Sequence, residues 1–162
     1  MGLLKHCGIL KMDLKRVDDL YRDKVILDHC RNPRNADYLD NSDIHCDAIN
    51  LFCGDEVHIQ INVDDFRKIT NVGYQSEGCA INQAAGSLIS EYIKDLDLSQ
   101  VRNFISEFSK MLEDKSALDF DEELMPKLGD LTVLHRVKEF PIRIKCVLLS
   151  MTALETGLDK VK

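Results

Sequence analysis

The sequence predicts a single α+β domain, a three-stranded antiparallel sheet packed against several helices. Three observations carry that expectation. Val57, Ile59, Ile61 and Val63 alternate with His58, Gln60 and Asn62, the period of a half-buried strand. After Gly78 the period changes: Ile81, Ala84, Ala85, Leu88, Ile89, Tyr92, Ile93 and Leu96 hold one apolar stripe at helical spacing. The chain is 162 residues long, enough for one domain with a core that needs no covalent staples.

Taken in order, residues 1–12 are expected to form a poorly ordered tail before a domain spanning 13–158. Leu14, Val17, Leu20, Tyr21 and Val25 place one helix over Met12–His29. It should stop before Asn32-Pro33, because proline disfavours helical geometry in the residue before it. A polar stretch from Arg31 to Ser42 leads into strands expected at Ile44–Leu51, around Val57–Val63 and at Lys68–Ser76. Asp64-Asp65 is the expected turn between the second and third. Beyond the helix that follows Gly78, Ser99 is an expected N-cap for a helix carrying Val101, Phe104, Ile105, Phe108, Met111 and Leu112. The acidic run Asp119–Glu123 and Pro126 interrupt the pattern. Asp130 is expected to cap a short helical segment through Leu134, and Pro141 to start a last helix with Ile144, Val147, Leu148, Met151 and Leu154 on its apolar face.

Composition narrows the function. A formal net charge of −7 argues against electrostatic attraction to nucleic acid or anionic lipid, which leaves proteins and small species as partners. No run approaches the length of a membrane span. Six cysteines in a helix-rich chain of this length, with Lys5, His6 and Lys11 interrupting any leader-like apolar run, point to a reduced, cytoplasmic setting rather than a disulfide framework.

Three of the cysteines have informative neighbours. Cys53 lies in Asn50-Leu51-Phe52-Cys53-Gly54-Asp55, where Gly54 permits a tight bend and Cys53 and Asp55 can face the same side. Cys79 follows Gly78 at the expected start of a helix, whose unpaired N–H groups and dipole favour a thiolate. Cys146 follows Arg143 and Lys145, cations that favour the thiolate if they are close in space. Three thiolates and a carboxylate are ligands zinc accepts. They come singly, without a Cys-x-x-Cys pair, so spacing alone leaves open whether they bind metal or fill the core as small hydrophobes. Cys7, Cys30 and Cys46 read as tail, helix-end and strand residues, although Cys46 is close enough to Cys53 in sequence to exchange sulfur with it. His29, His45, His58 and His135 read as ordinary surface or satisfied histidines.

The motifs together resemble the iron–sulfur cluster assembly proteins of the NifU N-terminal or IscU-like fold, and within them the SufU type. Tyr21-Arg22, Ile26-Leu27-Asp28-His29 and Asn32-Pro33-Arg34-Asn35 look like that family's opening helix and its exit. Cys53-Gly54-Asp55, Gly78-Cys79-Ala80-Ile81 and Arg143-Ile144-Lys145-Cys146 look like its three cysteine motifs in order. Lys145 where the IscU type has histidine, and the long segment between Cys79 and Cys146, favour the SufU type. The chain departs from the family pattern at Leu51 or Phe52, where proline is usual, and at Ser76, Asn82 and Ser150-Met151.

The resemblance implies that Cys53, Asp55, Cys79 and Cys146 bind zinc, with Gly54, Gly78, Arg143 and Lys145 tuning the site. It implies further that Cys53 accepts persulfide sulfur from a cysteine desulfurase that displaces it from the metal. Downstream assembly or recipient proteins would follow. Two alternatives accompany this expectation: a scaffold on which transient iron or a [2Fe-2S] cluster is assembled at the same residues, and a structural zinc domain that only docks partners. The chain is not expected to be a stand-alone enzyme but at most a sulfurtransferase acting with a cysteine desulfurase, since it shows no substrate-pocket motif and its sulfur donor is another protein.

Overall fold

A computed structural model describes residues 19–114 and 125–161. Its sheet has the order β1-β2-β3, with β1 at Ile44–Ile49, β2 at Glu56–Val63 and β3 at Ile69–Glu77, all antiparallel. Ile44, Cys46 and Ala48 stand opposite Ile61, Ile59 and Val57, while Ile59 and Ile61 stand opposite Tyr74 and Val72. One face is therefore apolar, and the helices cover it. The other carries His45, Asp47, Glu56, His58 and Gln75.

Helix α1 spans Lys24–Arg31, α2 Ala80–Ile93, α3 Leu98–Glu113, α4 Met125–Leu128 and α5 Pro141–Asp159, with a 3₁₀ segment at Gly129–Glu139. The innermost helix is α2, packed on α1, α5 and β3. It buries Ile81, Ala84, Ala85, Leu88, Ile89 and Ile93. His29 of α1 reaches Ser87 of α2 (Nδ1···Oγ 2.8 Å), and the same hydroxyl accepts the Arg34 N–H at 2.8 Å. Helix α5 lies across β1, where Gly157 meets Cys46 so closely that a side chain at 157 would approach the Cys46 Cα and Cβ to 2.9 Å.

Several local expectations are corrected. The first helix is not continuous: residues 19–21 are helical, the chain breaks at Arg22-Asp23, and the Asp23 carboxylate caps a new start by accepting from Val25 N (2.9 Å) and Ile26 N (3.4 Å). The Met12–Asp18 part of that expectation, the tail and the acidic run Asp119–Glu123 lie outside the described residues. The cap of α3 is Asp97, not Ser99; its carboxylate takes the Gln100 N–H while the Gln100 side chain returns to the Asp97 N–H, a reciprocal box that a lone serine does not supply. The turn between β2 and β3 is longer than two residues: Asp64 Oδ1 accepts from both Phe66 N and Lys68 N, and Arg67 takes φ +62°. Asp130 caps nothing by its side chain, and its segment is a 3₁₀ run to Glu139. Pro141 does stand at the start of α5. β1 ends at Ile49, so Leu51, Phe52 and Cys53 belong to the turn.

Candidate metal centre

Three elements converge at the end of the sheet where β1 turns into β2. Asn50 organises that turn: its N–H donates to Asp55 O (2.8 Å), its carbonyl accepts from Gly54 N (2.7 Å) and its side-chain oxygen accepts from Phe52 N (3.0 Å). Gly54 adopts φ +74°, a conformation glycine supplies at little cost. The turn delivers Asp55 into the interior, where it is buried, and leaves Cys53 exposed at its rim.

Gly78, at φ +130°, ends β3 and places Cys79 as the N-cap of α2. Asp55 Oδ1 accepts the Cys79 N–H at 3.2 Å, and Oδ2 lies 3.5 Å from the Cys79 sulfur. Cys79 Sγ in turn accepts from Asn82 N at 3.4 Å. Cys146, buried in the second turn of α5, completes the group: the ligand atoms of Asp55, Cys79 and Cys146 all lie within 4.8 Å of one another. Two sulfurs and one carboxylate oxygen at this separation suit zinc, with Cys53 two residues from Asp55 and on the same cleft.

The thiols of this group are unlike one another. Cys79 is lowered to about 7, chiefly because the Cys146 thiol donates to it, with the Asn82 N–H helping. Cys146 is pushed up, first by that donated hydrogen bond and then by burial. Arg143 lies 4.0 Å from the Cys146 sulfur and acts in the expected direction, but three larger effects override it, the third being the charge of Cys79, so the expected depression of Cys146 does not appear in the metal-free site. Lys145 is exposed on the rim. Cys46 is fully buried, its thiol is raised to about 12 by burial, and it does not line the cleft that holds Cys53.

Two contributors escaped the sequence reading. Tyr21, read there as part of an apolar stripe and of the opening-helix motif but not of the site, lies under the Arg143 guanidinium at 5.4 Å from the ring centre. Asn82 holds the strand ends beside the site, donating from Nδ2 to Glu77 O (3.1 Å) and Glu56 O (3.3 Å). Neither residue sits in a ligand-like spacing, so only the fold reveals them. The cleft above the group measures about 750 Å³, with Phe52, Cys53, Ile142, Arg143 and Lys145 on its walls. No helix among the described residues is long and apolar enough to cross a membrane.

Comparison with known proteins agrees with this fold. The family model described as the NifU-like N terminal domain matches residues 20–147. A Bacillus subtilis protein named zinc-dependent sulfurtransferase SufU is 37% identical over 144 residues, covering 89% of this chain and 92% of that protein. The iron–sulfur cluster assembly scaffold protein IscU of Thermotoga maritima is 29% identical over 138 residues, covering 85% and 92%. Among solved structures, a SUF-system scaffold protein from Fervidobacterium islandicum superposes with a TM-score of 0.75 at 29% identity, over 86% of this chain and 97% of that one. The N-terminal NifU-like protein of Brucella abortus shares the fold, with a TM-score of 0.76 at 19% identity over 90% and 96%.

Proposed function

This chain belongs to the family of NifU-like N-terminal domains, and from that premise we propose that it serves iron–sulfur cluster assembly by accepting sulfur at Cys53 from a cysteine desulfurase. The observation that carries the reading is the division of labour at the cleft: Asp55, Cys79 and Cys146 converge, while Cys53 stands exposed beside them on a hairpin turn. A metal-ligating trio next to an accessible thiol suits transfer better than it suits a purely structural staple. Its likeness to the B. subtilis protein named a zinc-dependent sulfurtransferase supports the same assignment.

In the transfer step the Cys53 thiolate attacks the outer sulfur of a persulfide on the donor's cysteine. The donor's S–S bond breaks, its cysteine leaves as a thiolate, and Cys53 carries the persulfide. Asp55, Cys79, Cys146 and, in the resting protein, Cys53 would hold zinc, which when bound keeps its thiol ligands deprotonated yet protected. Arg143, stacked on Tyr21, offsets part of the negative charge of the thiolates. All five described cysteines are free, which fits a reduced cytoplasmic compartment.

The test is mass spectrometry of zinc-loaded protein after incubation with the desulfurase and cysteine. A mass gain of one sulfur on the Cys53 peptide, lost in Cys53→Ser, is expected. Zinc-replete protein that gains none, and that leaves the desulfurase rate unchanged, would refute the proposal. A scaffold role has one observation of its own, the likeness to the T. maritima protein named for it. Adding iron to the same mixture separates the two: a transferable [2Fe-2S] chromophore supports the scaffold, and its absence alongside Cys53 persulfide supports transfer.

A further inference from the structure

Six large hydrophobic side chains are prominently exposed among the described residues, and they are not evenly spread. Ile49, Leu51 and Phe52 share the β1–β2 hairpin, and Ile142, in the first turn of α5, lines the same cleft as Phe52. Leu51 is 90% exposed, Phe52 101% and Ile142 77%. The Asn50 hydrogen bonds hold Leu51 and Phe52 at the tip of a closed turn, immediately before Cys53. Apolar side chains preset in this way, on a well-formed turn, lose little conformational freedom when a partner covers them.

Two cations stand beside them on the rim of the cleft. The chain carries −7 overall, yet the cleft is lined by Arg143 and Lys145, and its single lining carboxylate is the buried Asp55. Lys145 is exposed and pairs with no described acid. A matching surface therefore has an apolar recess flanked by carboxylates. A second copy of this chain fits poorly, because a two-fold contact through this patch sets Arg143 and Lys145 against their own counterparts.

We infer that Leu51 and Phe52, with Ile142 of the same cleft, form the anchor that seats the sulfur donor, entering an acid-rimmed apolar recess beside its persulfide-bearing cysteine. This rests on the function proposed above and adds the docking element to it. The donor is favoured over a recipient protein because Leu51 and Phe52 adjoin Cys53 on one turn, so a protein that covers them also reaches the acceptor sulfur.

The test titrates the zinc-loaded full chain against the cysteine desulfurase by calorimetry and follows Cys53 persulfide in the same samples. Phe52→Ser is expected to weaken binding by at least about tenfold, as truncation of a buried aromatic anchor does, and Leu51→Ser by less. Lys145→Glu should weaken binding further as salt is lowered. Phe66→Ser is the control, since Phe66 is 87% exposed but sits on the turn at the opposite end of the sheet; it should leave affinity unchanged. All these side chains are exposed, so the fold should survive, and zinc content checks that it does.

If Phe52→Ser binds as the parent does while persulfide still forms, the anchor is wrong and the transfer function stands. If the parent protein neither binds the desulfurase nor gains sulfur, both fall. If Phe52→Ser leaves donor affinity intact but dissolves a dimer of this chain, the patch is a self-interface and the inference is overturned.

Discussion

The Asp55 carboxylate occupies the space that a side chain at Gly78 would need: a Cβ there would stand 2.6 Å from Asp55 Cγ and 3.0 Å from its Cα. Gly78 thus does more than permit φ +130°; its missing side chain lets the carboxylate lie against the start of α2 and accept the Cys79 N–H. Gly78→Ala should displace Asp55 and lower zinc affinity by about 10- to 100-fold, read by competition with a chromophoric chelator. Gly54→Ala is the contrast, because nothing lies within 4 Å of its missing side chain. Only left-handed backbone strain of roughly 1 kcal/mol is expected there, with zinc affinity nearly kept. Equal losses in the two variants would contradict this assignment.

The break at Arg22-Asp23 predicts a second measurable loss. Asp23 caps α1 with one oxygen and pairs with Arg136 through the other at 3.0 Å, tying the first helix to the 3₁₀ segment. Asp23→Ala should cost about 1 kcal/mol in urea unfolding, mostly from the cap. Arg136→Ala should cost less, since that ion pair is partly exposed.

That break also shows where the sequence was legible. The alternation in β2 and the stripe of α2 are signals of period, and both strand and helix appear where the spacing puts them. Caps and turns depend instead on which of several polar residues wins a backbone N–H. Asp97 takes the cap that Ser99, two residues away, could equally offer, and Asp23 interrupts a helix whose apolar spacing runs straight through it. At the site, Gly78-Cys79 and Cys53-Gly54-Asp55 were readable as motifs. That Cys79 and Cys146 would hold opposite protonation tendencies was not, because it arises from the approach of two thiols far apart in sequence.

Helix α5 positions Cys146, and its far end is registered by Gly157 against Cys46 of β1. Gly157→Ala forces a methyl group into backbone atoms that cannot rotate away. A loss of about 1–3 kcal/mol is expected on denaturant unfolding of metal-free protein, as for other overpacked cores. Gly129→Ala, with open space around it, should lose only the strain of its φ of +53°.

Cys79 should be identifiable by its pH profile in the metal-free protein. Its thiol is lowered from 9.0 to about 7, so alkylation of Cys79 by iodoacetamide, followed by mass spectrometry, should rise through that pH. Cys146→Ala removes the largest cause and should move the midpoint upward. The sign for stability follows: the thiolate's contribution is full above pH 9, the unfolded value, and is lost as pH falls through about 7. A midpoint unmoved by Cys146→Ala would show that the pairing of the two thiols does not set it.

Two histidines should bend the stability curve in opposite directions. His58 has Asp47 on Nδ1 at 2.7 Å and Glu56 on Nε2 at 3.5 Å, and these carboxylates raise its pKa above 6.5, Asp47 most. Its contribution is complete below pH 6.5 and is lost as pH rises through the raised value. His29 is lowered, first by burial and then by Arg34. The fold favours its neutral ring, so its contribution is complete above pH 6.5 and is lost as pH falls through the lowered value. Ring-proton NMR titration should therefore give one midpoint above 6.5 and one below. Asp47→Asn should bring the upper one down while leaving the lower in place, because Asp47 lies on the outer face of the sheet and His29 is packed between α1 and α2. If both midpoints move together, the two rings report a shared charge and not these separate surroundings.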